Sequence, residues 1–156
     1  MIKCEFKDDH TIVKEGDKGE SLYIIKEGIV SCVKNNLEIR KLHTKDYFGE
    51  SSILFETKRT LSIVSVTKTV CYNITKNVLI ETLGENFRYI LLSAICKEAF
   101  QKSEILQNLL FDESFNKIFQ NFKLKFFKNN EIVVDKTNFT NVKIVVLIEG
   151  NFVNVI

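Results

Sequence analysis

Short apolar runs separated by turn residues occupy the first half of the chain. Runs of this length that are rich in Ile, Val, Tyr and Leu are typical of β-strands. Gly16-Asp17-Lys18-Gly19 and Asn35-Asn36 are the clearest turns, because Gly and Asn tolerate a positive φ. The predicted strands cover residues 11–13, 21–26, 29–34, 39–42, 61–66 and 70–74. About eight short strands at this spacing indicate a sandwich or barrel, and we favour a jelly roll.

The periodicity changes at about Lys76. From Val78 to Ala99 the apolar residues recur at intervals of three and four, which predicts an amphipathic helical stretch. Gly84 is expected to divide this stretch into two helices, and Thr75 or Asn77 is suited to cap its start. A further short helix is predicted over residues 113–121. The predicted fold class is therefore α+β, a β jelly roll with helices after it.

The end of the chain repeats its beginning. FKDDHTIVKEG at residues 6–16 is similar to FKNNEIVVDKT at residues 127–137, and LYIIKEG at residues 22–28 is similar to KIVVLIEG at residues 143–150. We therefore predict one domain over residues 1–110. Residues 111–156 are predicted to form a linker helix and the first strands of a second, incomplete copy. A repeat that is cut short suggests a fragment of a longer protein.

Composition excludes several classes of function. The 22 basic and 20 acidic residues are well mixed, which does not suit binding of a nucleic acid polymer or an anionic membrane. The apolar runs are strand-sized and the N-terminus lacks an apolar signal core, so we expect a cytoplasmic protein without a membrane span. The four Cys form no C-x-x-C pair and the two His are near none of them. We therefore expect no metal site and no cofactor.

The candidate chemistry lies in FGESSILF at residues 48–55, followed by Arg59 and Thr60. Gly49 permits close backbone approach, and Glu50 is suited to accept hydrogen bonds from a pair of ligand hydroxyls. Arg59 is of the residue type that recognises phosphate or carboxylate with two hydrogen bonds. Together they suit a sugar phosphate. The alternative interpretation is a turn with a surface Glu and a surface Arg.

This segment resembles a known family. FGESSILFETKRTLS at residues 48–62 is similar to the phosphate-binding cassette of cyclic nucleotide-binding domains. Gly16-Asp17-x-Gly19, the run LYII at residues 22–25 and Gly28 are similar to the hairpin that opens the same domain. The resemblance covers about residues 5–110, and it is greatest to the regulatory region of protozoan cGMP-dependent protein kinases. It implies a jelly roll with C-terminal helices, followed by a degenerate copy.

The resemblance also implies roles for individual residues. Glu50 matches the acidic residue that accepts from the ribose 2′-hydroxyl, and Arg59 matches the arginine that pairs with the cyclic phosphate. Thr60 matches the hydroxyl residue that reaches the guanine amino group in domains that prefer cGMP. Arg40 stands where some cGMP-selective domains read the guanine edge, although a solubilising charge on a strand edge explains it equally well. The positions whose backbone lines the phosphate are matched by Gly49, Ser51 and Ser52.

Four residues depart from the family pattern. Ser52 and Leu61 stand where Ala is usual, and Leu61 either crowds the phosphate pocket or repacks. Lys58 replaces a common Pro, and Lys45 replaces a frequent Gly. These departures motivate an alternative, a degenerate domain that binds no nucleotide and has a structural or protein-interaction role. An enzyme of the jelly-roll class is disfavoured, because clustered His and paired inward-facing acids are absent from the sequence.

The expected function is that of a regulatory module that binds cGMP in preference to cAMP. The resemblance implies that the ligand draws the cassette inward and that the helices over residues 76–110 then cap the base. In the whole protein this change would relieve autoinhibition of a serine/threonine kinase. The expected partners are the cyclic nucleotide, the kinase domain and neighbouring domains of the same chain. The chain itself carries no kinase motif, so no catalytic residue is predicted.

Overall fold

The computed structural model describes residues 1–104, 106–111, 114–121, 127–128 and 131–133. The chain forms two compact units, Met1–Leu91 and Leu92–Ile156. The described part of the first unit contains two four-stranded antiparallel sheets, with strand orders β1-β8-β3-β6 and β2-β7-β4-β5. The strands are β1 (Ile2–Phe6), β2 (Thr11–Val13), β3 (Ser21–Glu27), β4 (Val30–Lys34), β5 (Leu37–Leu42), β6 (Tyr47–Phe48), β7 (Ser62–Ser65) and β8 (Thr69–Thr75). This arrangement confirms the predicted jelly roll.

Turn chemistry sets the register of the strands. Asn35 and Asn36 both adopt positive φ, at 49° and 65°, as a two-residue hairpin between β4 and β5 requires. The hairpin pairs Val30 with Leu42 and Cys32 with Arg40. Because directly opposed residues lie on the same face of an antiparallel pair, these four positions share one side of the sheet.

Apolar residues of both sheets form the main core. Its buried members are Val13, Ile25, Val30, Cys32, Leu42, Phe48, Ile63 and Cys71. Ile25, Val30, Cys32 and Cys71 are at most 1% exposed. Burial on this scale contributes roughly 1.5–3 kcal/mol for each large side chain, so this cluster stabilises the roll on which the site is built.

Helices cover one part of the roll. They are α1 (Glu50–Phe55), α2 (Lys76–Leu83) and the first turns of α3 (Phe87–Gln101), with a 3-10 turn over Gly84–Asn86 between the last two. Thr75 caps α2, since its side chain accepts a hydrogen bond from the Val78 amide at 3.4 Å. A second buried cluster joins these elements and consists of Leu22, Ile53, Leu79 and Phe87.

The second unit has an aromatic core of its own. The end of α3 contributes Cys96 and Phe100, and α4 (Ser114–Phe119) contributes Phe115 and Phe119. Phe100 meets Phe115 edge to face at 5.4 Å between ring centroids. A 3-10 helix over Gln107–Phe111 lies between the two helices in sequence.

All six predicted strands are present with small shifts of their ends, and the predicted division near Gly84 is confirmed. The helix predicted over residues 113–121 is also present, as α4. The strands β1 and β6 were not predicted individually, because β6 has only two residues and β1 alternates with charged ones. The predicted second copy falls on residues 122–156, most of which lie outside the described residues, so it stays a prediction.

Candidate functional site

Strand β6 places the start of the FGESSILF segment beside β3. Tyr23 pairs with Phe48 in the sheet, and their rings stack at 5.0 Å between centroids. Gly49 follows at φ 91°, a left-handed conformation that favours glycine, and α1 begins at the next residue. Ser52 and Ile53 of α1 are buried. The segment is therefore held at both ends by packing against the roll.

Arg59 is the centre of the site. Its side chain is only 8% exposed. Its Nη1 donates to the Gly49 carbonyl oxygen at 2.9 Å and to the Ser52 Oγ at 2.7 Å, and its Nη2 donates to the Ser21 carbonyl oxygen at 2.6 Å. All three acceptors are neutral oxygens. The structure therefore holds a buried cation by hydrogen bonds that do not neutralise its charge.

The electrostatics of Arg59 reflect this burial. Desolvation lowers the pKa of the guanidinium from its usual range, while the charges of Tyr23 and Glu50 act in the opposite direction. An arginine in a protein stays protonated even so. An anion that reached Arg59 would thus meet a charge poorly solvated by water, and such a charge binds anions more strongly than an exposed one.

Two glycines make room for the guanidinium. A Cβ added at Gly49 would collide with the Arg59 Nη1 and would lie 2.9 Å from the Ser21 carbonyl oxygen. A Cβ added at Gly19 would collide with the Ser52 Oγ and would lie 2.6 Å from the Arg59 Nε. A side chain at either position would therefore displace the guanidinium, and Gly19 joins the site although it was not among the predicted site residues.

Backbone hydrogen bonds anchor the residues around Arg59. The Arg59 amide donates to the Asp17 carbonyl oxygen, and the Gly16 amide donates to the Arg59 carbonyl oxygen, both at 2.8 Å. Lys18 and Lys58 form an isolated β-bridge beside them. The predicted turn at residues 16–19 is thus tied directly to the arginine, which sequence spacing alone does not reveal.

Glu50 and Ser51 lie at the first turn of α1. The Ser51 Oγ donates to the Glu50 carboxylate at 3.2 Å, and both residues are half-buried. The effect of Glu50 on the Arg59 pKa places the carboxylate within electrostatic reach of the guanidinium. Thr60 follows Arg59 and is also half-buried. The structure thus brings six of the seven predicted site residues together, Arg59 and five residues near it in sequence.

The seventh, Arg40, lies on the edge strand β5. It is exposed, and it faces Cys32 across the β4–β5 pair. Burial raises the pKa of the Cys32 thiol, whereas Arg40 lowers it and Glu50 raises it further. Because Arg40 pairs directly with the buried Cys32, the two residues share the inner side of the sheet.

A cavity of about 490 Å³ borders Arg59. Its lining comes from β2, from the turn after it and from β3, and it includes Lys14, Lys18 and Tyr23. Residues 49–52 are described but are not part of this lining.

The four departures from the family pattern have structural explanations. The Ser52 hydroxyl is a direct partner of Arg59. Leu61 is half-buried and packs against the main core, so it has repacked. Lys45 adopts φ 80°, the conformation that a glycine would take there, and its amide donates to the Ile25 carbonyl oxygen at 2.8 Å. Lys58 is held by its bridge to Lys18.

Glu56 connects the end of α1 to the helices that follow. Its carboxylate accepts from the Lys76 Nζ at the start of α2 and from the Arg88 Nη2 in the first turn of α3, both at 2.8 Å. The hydrogen bond from Lys76 and the two positive charges lower the pKa of the Glu56 carboxyl. All three side chains are at least 31% exposed, so these ion pairs are weak individually.

Sequence reasoning missed Ser21, Tyr23 and Cys32 as neighbours of the site. Ser21 acts through its backbone carbonyl, which carries no side-chain signal. Tyr23 and Cys32 sit in apolar runs and are indistinguishable there from ordinary core residues. Gly19 was also missed as a site residue, although the sequence could have indicated it, because it ends the Gly-Asp-x-Gly turn.

Comparison with known proteins assigns the class. Residues 3–86 match the family model of the cyclic nucleotide-binding domain. The chain belongs to this family, whose domain is a non-catalytic regulatory one, and it is similar to the regulatory regions of cGMP-dependent protein kinases. It is 34% identical over 145 residues to the cGMP-dependent protein kinase of Plasmodium berghei (strain Anka), and 34% identical over 151 residues to that of Toxoplasma gondii. These alignments cover 93% and 96% of this chain, but 17% and 15% of the two kinases.

Solved structures support the same fold. The structure of Sp-2Cl-cAMPS bound to PKAR CBD2 aligns with a TM-score of 0.54 at 24% identity, covering 73% of this chain and 75% of the other. The regulatory subunit of a cAMP-independent protein kinase A from Trypanosoma brucei aligns with a TM-score of 0.54 at 21% identity, covering 70% and 38%. None of the helices in the described part of the chain is long and apolar enough to cross a membrane.

Proposed function

We propose that this chain is a cGMP sensor whose ligand places its cyclic phosphate against Arg59. The observation that carries the proposal is the burial of Arg59 among three neutral acceptors. Its hydrogen-bond acceptors are uncharged, and Glu50 acts on it only electrostatically. Burying a charge in this way is costly, and a bound phosphate would supply a countercharge in direct contact.

The N–H donors that remain free on the Arg59 guanidinium support a bidentate contact with a phosphate. A guanidinium has five N–H donors. Within the protein, the Arg59 Nη1 has two acceptors and the Nη2 has one. The Nε–H and the second Nη2 donor remain for a ligand. Two such donors on one planar group match two oxygens of a phosphate.

The ribose and the base are assigned to the neighbouring residues. Glu50 accepts from the 2′-hydroxyl, and Gly49, Ser51 and Ser52 line the phosphate with their backbone. Thr60 reaches the guanine amino group, which adenine lacks. Arg40, on the inner side of its sheet, donates to the guanine carbonyl, where adenine presents a donor of its own.

The regulatory step is a shift between two arrangements of the helices after the roll. Glu56 supports this coupling, because it joins α1 to Lys76 and Arg88 at the starts of α2 and α3. A ligand that moves α1 would strain or strengthen these contacts. The ligand shifts the population only by its difference in affinity for the two arrangements.

In the full-length protein, we infer, this shift relieves autoinhibition of a cGMP-dependent serine/threonine kinase. The similarity to such kinases in Plasmodium berghei and Toxoplasma gondii supports this inference. The partners are then the kinase domain and neighbouring nucleotide-binding domains of the same chain, in the cytoplasm. The chain described here would act without a cofactor of its own.

Calorimetric titration with cGMP and with cAMP tests the proposal. We expect cGMP to bind at least about tenfold more tightly, or roughly 1.4 kcal/mol. Replacing both Arg40 and Thr60 by Ala should bring the two affinities together, mainly by weakening cGMP. Equal affinities of the unchanged chain would reject selectivity for cGMP but keep nucleotide binding. Binding of neither nucleotide by a folded sample would favour the alternative, a degenerate domain with a structural role.

A further inference from the structure

Ser52 forms a closed triangle of hydrogen bonds with Gly49 and Arg59. The Arg59 Nη1 donates to the Gly49 carbonyl oxygen at 2.9 Å and to the Ser52 Oγ at 2.7 Å. The Ser52 hydroxyl itself donates to the same Gly49 carbonyl oxygen at 2.9 Å. Ser52 is 4% exposed and Arg59 is 8% exposed. Bulk water therefore cannot easily replace any side of this triangle.

The triangle gives the Ser52 hydroxyl a defined direction. A serine hydroxyl has one donor and two acceptor lone pairs. Because its proton is directed at the Gly49 carbonyl oxygen, a lone pair is left to accept from Arg59. Gly19 restricts the opposite side, since a Cβ there would collide with the Ser52 Oγ. Alanine at position 52 would remove one of the two acceptors of the Arg59 Nη1.

From these contacts we propose that Ser52 is a positioning residue for the phosphate contact, acting through Arg59. Its hydroxyl holds the Nη1 in place, so that the Nε–H and the second Nη2 donor are ready for the ligand. The proposal rests on the proposed function for its effect on affinity. The departure from Ala at this position, which suggested a degenerate site, thus becomes part of the binding machinery.

The effect on affinity follows from preorganisation. Ordering a flexible side chain on binding has a cost in free energy, which a side chain already held in place avoids. Ser52→Ala should therefore weaken cGMP binding by about three- to tenfold. Ser31→Ala is the matched control, because Ser31 is also buried and its hydroxyl donates to the Glu38 carboxylate at 2.7 Å.

A double-mutant cycle separates positioning from general damage to the fold. Lysine lacks the planar fork of arginine, so Ser52→Ala should have no further effect on cGMP affinity in an Arg59→Lys background. The expected result is a three- to tenfold loss with Arg59, no loss with Lys, and no loss for Ser31→Ala. An unchanged or improved affinity of Ser52→Ala would overturn the proposal, and so would an equal loss in both backgrounds.

A measurement without ligand tests the positioning independently. In ¹⁵N-resolved NMR spectra of the chain, we expect separate, slowly exchanging Nη1 proton signals from Arg59. Ser52→Ala should broaden or merge these signals, whereas Ser31→Ala should preserve them. Identical signals in Ser52→Ala would refute the role of the hydroxyl. Failure of the unchanged chain to bind cGMP, with the NMR result as expected, would reject the proposed function and leave the Ser52–Arg59 contact established.

Discussion

Replacing Arg59 by Ala tests the site most directly. The substitution removes three hydrogen bonds to neutral oxygens and deletes the cation to which the phosphate is assigned. Two consequences should be separable. The affinity for cGMP should fall because the charged partner is gone. The ligand-free fold should lose part of its stability because the Ser21 carbonyl oxygen and the Ser52 hydroxyl lose the guanidinium as a donor, although the Gly49 carbonyl oxygen keeps its hydrogen bond from Ser52.

The magnitudes differ for the two consequences. A hydrogen bond to a charged group contributes roughly 1.5–3 kcal/mol, so cGMP affinity should fall by about ten- to a hundredfold. For stability, each buried acceptor that loses its donor costs about 1–3 kcal/mol. Removing a buried charge relieves its desolvation, which opposes that cost. We expect a net loss of about 2 kcal/mol in the free energy of unfolding, because three well-formed hydrogen bonds outweigh the relief.

Calorimetric titration with cGMP and urea unfolding without ligand measure the two quantities. Lys68→Ala is the control, because Lys68 is exposed and its substitution removes one positive charge from the surface. It should change the free energy of unfolding by at most about 0.5 kcal/mol and leave the affinity unchanged. An unchanged dissociation constant in Arg59→Ala would refute the assignment of this residue to the phosphate. A loss of stability with full affinity would show a purely structural role.

Three further predictions address the surroundings of Arg59 and the core. Glu50→Gln should weaken binding of cGMP more than binding of 2′-deoxy-cGMP, because the deoxy ligand lacks the hydroxyl that donates to the carboxylate. If titrations show that the loss from the substitution and the loss from the missing hydroxyl are additive, this prediction is contradicted. Gly19→Ala should weaken cGMP binding at least about tenfold by displacing the guanidinium. Gly16→Ala is the control: its added Cβ meets no atom within 4 Å, but φ is 86°, so it should lower only the stability, by about 1 kcal/mol. Burial raises the pKa of Cys71 to about 11, whereas the thiol of the unfolded chain has a pKa of about 8.5. The stability that the neutral buried thiol contributes should therefore fall as pH rises from about 8.5 to about 11 and then level off. Urea unfolding across this range should show a shallower fall of the unfolding free energy in Cys71→Ala, and an identical slope would count against the buried thiol.

Local patterns were sufficient for most of the fold. The strand at residues 11–13, the turn at Asn35-Asn36 and the helix start at Thr75 were all predictable, because each depends on neighbours in sequence. Alternation, turn preference and capping act over a few residues and need no knowledge of the tertiary structure. The two-residue strand β6 was beyond this reasoning, since only its pairing with β3 makes it a strand.

The residue types of the site were also contained in the sequence. A glycine, an acidic residue and an arginine within ten residues suggested a phosphate site before any geometry was known. The spacing could not show which partners Arg59 has. Whether an arginine is a solvated surface charge or a buried cation depends on residues distant in the chain, here Ser21 and Gly19.

Ser52 and Leu61 stand where the family usually has Ala, and their effect on the site depended entirely on tertiary contacts. From the sequence, Ser52 and Leu61 motivated the alternative of a degenerate domain, whereas the intact Glu50 and Arg59 favoured a working site. In the structure Leu61 packs against the main core, and the Ser52 hydroxyl meets the guanidinium at 2.7 Å. The sequence by itself determined the class of fold and the residue types of the site, because short-range periodicity and motif spacing carry that information. Only the folded chain decided that Arg59 is buried among neutral oxygens, because burial and hydrogen-bond partners arise when strands and turns distant in sequence come together.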